Sequence, residues 1–102
     1  MKKKILTEAS GSLVSGYLIK AIKDSGHISV ASDVDKDNHG FYLADEFIKL
    51  PYSSDQNLWA IIEQKLVEYN IDIVIPSFDE TIMEWSKRKE YFKKKGVHVI
   101  IS

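Results

Sequence analysis

The sequence has no cysteine, no membrane-length hydrophobic run and almost no net charge. Without cysteine there are no disulfides, thiolate metal sites or cysteine nucleophiles, which fits a reducing, cytoplasmic setting. No segment approaches the roughly 18 apolar residues of a membrane span. The lysines at Lys2, Lys3 and Lys4 look like a signal n-region, but only Ile5-Leu6 separates them from Thr7-Glu8, too little for an apolar h-region. Lys and Arg number 14 against 15 Asp and Glu, a formal charge of −1. Nothing in that balance calls for nucleic acid or a membrane as partner.

What is present suits one domain. The 102 residues are 44% hydrophobic and 28% charged, ordinary globular values that allow a single core spanning 1–102. Ile5-Leu6-Thr7 reads as a strand feeding the small polar turn Ala9-Ser10-Gly11-Ser12. A helix follows from Leu13, its apolar pairs Leu13/Val14, Tyr17/Leu18 and Ala21/Ile22 predicting the buried face, and Gly26 stops it. Ile28 to Ala31 is a second strand ending at Asp33, and Val34 to Tyr42, with Gly40, reads as loop. Phe47, Ile48 and Leu50 make a third, edge strand closed by Pro51.

Ser53-Ser54-Asp55 offers capping oxygens to a helix with Leu58, Ile61, Ile62, Leu66 and Tyr69 on one stripe. Ile71 to Ile75 is β-branched and short, as expected of a central strand, and Pro76 ends it. Ser77 and Glu80 have capping-box spacing for a helix through about Lys95, and Gly96 stops it before a strand from Val97 to Ile101. Strands alternating with helices predict an α/β, three-layer Rossmann-like domain with a mainly parallel five-stranded sheet in the order 3-2-1-4-5. Ligands in such sheets sit at the carboxyl ends of the strands beside the switch point, which puts residues 8–12 first in interest, then 76–80, then 33–40.

Three stretches together resemble the N-terminal, preATP-grasp domain of ATP-grasp enzymes of the carbamoyl-phosphate-synthase large-subunit-like group. They are Lys4-Ile5-Leu6-Thr7 with its Ser-Gly-Ser turn and following helix, Ser32-Asp33-Val34-Asp35 running to Tyr42-Leu43-Ala44-Asp45-Glu46-Phe47, and Asp72 to Glu80 through Ile75-Pro76-Ser77. The resemblance implies a carboxylate–amine ligase that activates a carboxylate with ATP and Mg2+ and passes the acyl phosphate to an amine. This chain would be the substrate-side domain, with no cofactor of its own. The catalytic ATP-grasp domain, absent from 1–102, would lie C-terminal to Ser102 or on a separate chain. Family members carry roughly Thr-Gly-x-Gly-Gly where this sequence has Thr7-Glu8-Ala9-Ser10-Gly11, a departure that weakens close phosphate contact at the turn. A stand-alone small-ligand-binding or receiver-like module and a fragment of an NAD-dependent epimerase or reductase are the alternatives; Gly11 and Gly16 lack the dinucleotide spacing.

The candidate substrate-binding residues, for a small carboxylate or amine, are Ser10, Gly11, Ser12, Asp33, Asp79 and Glu80. Ser10, Gly11 and Ser12 precede a helix N-terminus, a natural seat for an anion, although Ser10 or Ser12 can equally serve as its cap. Asp33 stands where nucleotide-binding folds place a ribose-binding acid, or simply opens a solvated loop. Glu80 is read as a capping-box residue, which leaves Asp79 free to face a bound amine or a neighbouring domain. Asp35, Asp37, Gly40 and Glu46 imitate a calcium loop, but His39 occupies a ligand position and the expected flanks are strands. His27, His39 and His98 lie on different elements and form no expected metal site. No Ser/His/Asp arrangement or nucleophile elbow is present. The lysines of 87–95 suit a solvated helix end, and Trp59, off its helix's stripe, could mark a surface against a missing domain.

Overall fold

The computed structural model describes residues 2–9, 12–35 and 37–101, with Leu13 and His39 described through their backbone alone. The elements are β1 (Lys4–Thr7), α1 (Leu13–Asp24), β2 (Ile28–Asp33), α2 (His39–Leu43), β3 (Glu46–Lys49), α3 (Leu58–Glu68), β4 (Ile73–Ile75), α4 (Asp79–Lys94) and β5 (His98–Val99). All strand pairs are parallel and the order is β3-β2-β1-β4-β5, as the alternation of strands and helices predicts. Among the described residues no helix is long and apolar enough to cross a membrane.

One face of the sheet carries the main core. Leu6, Val30, Ile48, Val74 and Val99, one from each strand, meet Leu58, Ile62 and Leu66 of α3 and Trp85 and Phe92 of α4. Burying each such side chain contributes about 1.5–3 kcal/mol, whereas exposed ion pairs such as Lys20–Asp24 contribute about 0–1 kcal/mol. The apolar stripe therefore holds the fold. Alternation along β1 and β2 turns Ile5, Thr7, Ser29 and Ala31 to the opposite face, where α1 packs.

Several expectations need correction. The inward stripe of α1 is Ser15, Ile19 and Ile22, while Val14 and Tyr17 are 62% and 69% exposed. The cause is Ser15, whose hydroxyl donates to the Glu8 carbonyl and turns that face of the helix toward the sheet. The segment read as loop contains α2, nucleated by Asn38, whose side chain accepts from the Phe41 N–H. Asn57, without a side-chain capping bond, precedes α3. Asp55 instead accepts from the Asn57 N–H and Ser53 donates to Glu80. Trp59 is no outward marker: it packs on the core, edge-on to Trp85 at 4.8 Å between ring centroids, with the Arg88 guanidinium 4.8 Å from its own. The strands are also shorter than predicted, β4 beginning at Ile73 and β5 ending at Val99.

The predicted helix stops at Gly26 and Gly96 are present, at φ +86° and +87°. Asn70 does the same after α3 at φ +55°. In each case the next residue's N–H reaches back five residues to a last-turn carbonyl, His27 to Ile22, Ile71 to Leu66 and Val97 to Phe92. A Cβ on Gly96 would meet nothing within 4 Å, so its requirement is purely the left-handed backbone. Gly96→Ala is accordingly expected to lower the urea unfolding free energy by about 1–2 kcal/mol with an unchanged m-value. Asn70→Gly is expected to leave it equal or slightly higher.

Candidate functional site

The first loop leaves β1 through Glu8, a residue the sequence reading passed over. It is only 4% exposed despite its charge-bearing side chain. Its backbone N–H donates to Ser77 Oγ at 2.9 Å, and Ser77 Oγ–H lies 3.0 Å from the Glu8 carbonyl. The carboxyl group is held from α4: Trp85 Nε1 donates to Oε2 at 3.0 Å, and Thr81 Oγ1 lies 2.9 Å from Oε2 and 3.1 Å from Oε1. Thr81 and Trp85 are four residues apart and so share one helical face. Ala9 follows at φ +50°, a left-handed turn that swings the chain away.

Burial pushes the Glu8 carboxyl above the ordinary glutamate range; the bonds from Trp85, Thr81 and the Ser77 N–H pull against this without offsetting it. The neutral acid also completes the pairing. Thr81 Oγ1 lies 3.2 Å from the Phe78 carbonyl as well, and one hydroxyl carries one proton. With Glu8 protonated, Trp85 donates to Oε2, the acid proton goes to Thr81 Oγ1, and Thr81 donates onward to Phe78.

Glu8 forms part of the floor of a cleft of about 290 Å³ at the carboxyl ends of β1, β2 and β3, on the side of the sheet covered by α3 and α4. Its walls are Leu50 and Pro51 after β3, Leu58 and Ile62 of α3, and Phe78 before α4. Asp33, Tyr52, Ser53 and Glu80 supply polar groups.

The predicted site residues divide around this cleft. Asp33 and Glu80 line it together. Asp33 Oδ1 accepts from the Val34 N–H at 2.6 Å, and Glu80 accepts from Ser53 Oγ–H. Ser12 is not among the lining residues; its Oγ caps α1, accepting from the Ser15 N–H at 3.2 Å. Asp79 is exposed at the start of α4, also off the cleft. Ser10 and Gly11 lie outside the described residues. The capping box is overturned: Ser77 is spent on the Glu8 backbone, Phe78 stands at the N-cap without a side-chain bond, and Glu80 turns to Ser53. The calcium-loop imitation also breaks up, since β2 and β3 flank it and Glu46 pairs with Lys4 at 2.9 Å. Glu8 had a sequence signal: an acid directly after a buried strand, where glycine is usual, with Thr81 and Trp85 at helical spacing opposite.

Among the described residues no Lys, Arg or His lines the cleft, so those residues offer no cation to the phosphates of a nucleotide. Among the described residues no group of three His, Cys, Asp or Glu side chains could hold a metal ion.

The chain belongs to the PylC-like N-terminal domain family, whose pattern matches residues 9–100. No curated protein sequence matches it. Solved structures share the fold at low identity. A biotin carboxylase domain of a single-chain bacterial carboxylase superposes with a TM-score of 0.77 at 18% identity, over 96% of this chain and 24% of that one. The biotin carboxylase domain of the Hydrogenobacter thermophilus 2-oxoglutarate carboxylase gives 0.73 at 19%, over 97% and 22%. N5-carboxyaminoimidazole synthetase from Staphylococcus aureus, complexed with ADP, gives 0.64 at 19%, over 97% and 25%. The chain thus spans about a quarter of the length of these structures.

The raised pKa of Glu8 has a signed consequence for stability. The folded state retains a proton that the unfolded state releases, so this group's contribution to stability is complete below the ordinary glutamate range and falls as pH rises from there through the folded value. Glu8→Gln is expected to flatten that fall in urea titrations run from pH 4 to 8. Glu8→Ala, which leaves Trp85 Nε1 and Thr81 Oγ1 without their acceptor, is expected to cost about 2–4 kcal/mol at pH 4, the difference from the parent shrinking as pH rises. A Gln variant with the same pH slope as the parent would contradict the assignment.

Proposed function

We propose that this chain is the N-terminal, substrate-side domain of an ATP-grasp carboxylate–amine ligase. The observation that carries the reading is the family match over residues 9–100, on a chain that spans about a quarter of the solved structures sharing its fold. Within that group the Tyr42-Leu43-Ala44-Asp45-Glu46-Phe47 run and the Ile75-Pro76-Ser77 turn favour kinship with the carbamoyl-phosphate-synthase-like branch. The enzyme would act in the cytoplasm, activating a carboxylate by phosphorylation and passing the acyl phosphate to an amine.

ATP and Mg2+ belong to the partner ATP-grasp domain in this reading, which is supported by the lack of a cation among the described residues of the cleft. The role of these 102 residues is to bind and orient a small carboxylate or amine substrate. Ser10, Gly11 and Ser12 at the first turn, Asp33 after β2, and Asp79 and Glu80 at the start of α4 are its proposed contacts. Asp33 and Glu80 have the strongest support, since they share the cleft, and Asp79 is placed to meet the adjoining domain. Ile73 and Ile75 alternate with core residue Val74 and so face away from α3 and α4. Half-buried there, they offer further apolar surface for that domain.

Calorimetric titration with Mg-ATP, Mg-ADP and NAD separates this reading from a self-sufficient nucleotide-binding domain. The 102 residues alone are expected to bind none of them, and the same sequence joined to its ATP-grasp domain is expected to bind Mg-ATP. Micromolar nucleotide binding by the 102 residues alone would sink the proposal.

A further inference from the structure

Among the described residues three groups hold the Glu8 carboxyl, and one of them can change its role. Trp85 Nε1, 3.0 Å from Oε2, and the Ser77 backbone nitrogen, 3.4 Å from Oε1, each carry an N–H and can only donate. Thr81 Oγ1, 2.9 Å from Oε2 and 3.1 Å from Oε1, can donate or accept. Its other neighbour is the Phe78 carbonyl at 3.2 Å, an acceptor in every state. With Glu8 neutral, the acid proton points to Thr81 Oγ1 and the Thr81 hydroxyl proton to Phe78. With Glu8 ionised, the carboxylate can only accept, so the hydroxyl proton turns to it and leaves Phe78.

That chain of bonds ends at a wall of the cleft. The Phe78 carbonyl stands at the N-cap of α4 and accepts from the N–H groups of Thr81 and Ile82, each at 3.1 Å, besides the hydroxyl. Phe78 and Glu80 line the cleft, and Glu80 is tied to Ser53 of the segment before α3. Glu8 lines the same cleft, which gives its proton a route to solvent. Around it the end of β2 brings Asp33, the segment after β3 brings Tyr52 and α4 brings Glu80, whereas α3 contributes only carbon and α1 the Ser15 hydroxyl. The α4 charges that flank Trp85, Glu84 and Arg88, pair with each other at 2.7 Å. Among the described residues none of the lining groups offers Glu8 a cation, so its ionisation is answered by Thr81.

We propose that Glu8, Thr81 and the Phe78 carbonyl form a proton-operated switch, in which ionisation of Glu8 turns the Thr81 hydroxyl from Phe78 to the carboxylate and loosens the first turn of α4 at the wall of the cleft. The proton lost by Glu8 goes to solvent, and Thr81 keeps its own. Because that turn presents Asp79 and Glu80, the charge state of a residue after β1 is passed to the start of a helix on the far side of the loop. The switch is a property of the fold and goes beyond the substrate-side reading, since no step of it requires an ATP-grasp partner.

The test follows the Phe78 carbonyl 13C resonance and the Thr81 and Ile82 amides in the 13C,15N-labelled 102-residue protein from pH 4 to 9, with the Trp85 indole resonance as the marker of Glu8 ionisation. In the parent, the carbonyl and both amides are expected to titrate with the midpoint of the indole. Thr81→Val keeps the branched shape and removes the hydroxyl. In that variant the indole midpoint is expected to rise, since a bond that favours the carboxylate is gone, and the pH-dependent shift of the Phe78 carbonyl is expected to be lost. Thr81→Ser, which returns the hydroxyl, is expected to restore it. Glu8→Gln, whose amide donates to Thr81 as the neutral acid does, is expected to hold the Phe78 carbonyl at the parent's low-pH position throughout, a readout that does not depend on the folding of Thr81→Val. A Phe78 carbonyl that does not follow the indole in the parent, one that follows it undiminished in Thr81→Val, one that sits at the parent's high-pH position in Glu8→Gln, or an indole that does not titrate below pH 9 would each overturn the proposal. No ligand enters the titration, so its outcome and that of the ATP-grasp reading are independent.

Discussion

The carboxyl group of Glu8, taken out of water at the end of the first strand, is the constraint on which the arrangement of this domain's ligand end depends. A buried acid without partners would cost several kcal/mol. Here its side chain is met by Trp85 and Thr81 from α4, and its backbone by Ser77 before that helix and Ser15 of α1. One residue thereby fixes the starts of two helices on opposite faces of the sheet. This chain leaves β1 on a buried, hydrogen-bonded side chain at Glu8.

The open space lies beside that side chain. The first turn is occupied by its own hydrogen bonds, and the cleft opens over the ends of β1, β2 and β3 instead, against α3 and the first turn of α4. The same bonds that tie Phe78 and Thr81 to Glu8 set the cleft's floor and one wall. Three acids of its lining come from independent positions: Glu8 after β1, Asp33 at the end of β2 and Glu80, the second residue of α4.

Much of the fold was legible in the sequence. Short β-branched runs alternating with helices determine a parallel sheet, and Gly26 and Gly96 mark two helix ends by a backbone conformation few other residues adopt. The buried face of α1 was not legible, because Tyr17 and Val14 outweigh Ser15 in any hydrophobic periodicity, yet the hydroxyl of Ser15 decides which side faces in. Asn70 escaped notice as a helix stop because asparagine adopts the left-handed backbone only by context. The site was legible in part. Asp33 and Glu80 came from the rule that ligands gather at strand ends. Glu8 did not, because an acid after a strand ordinarily reaches solvent, and its partners Thr81 and Trp85 stand 73 and 77 residues further along. Local capping logic also misassigned Ser77, whose hydroxyl serves that long-range contact.

The indole N–H of Trp85 reports on the central claim directly, since it donates to the Glu8 carboxyl and is fully buried. Its 1H–15N resonance, followed by NMR from pH 4 to 9, is predicted to titrate with a single midpoint above the ordinary glutamate range and to stop titrating in Glu8→Gln. A resonance that does not move with pH in the parent protein, or that moves with a midpoint at or below that range, would contradict the account of Glu8 as a buried acid that keeps its proton.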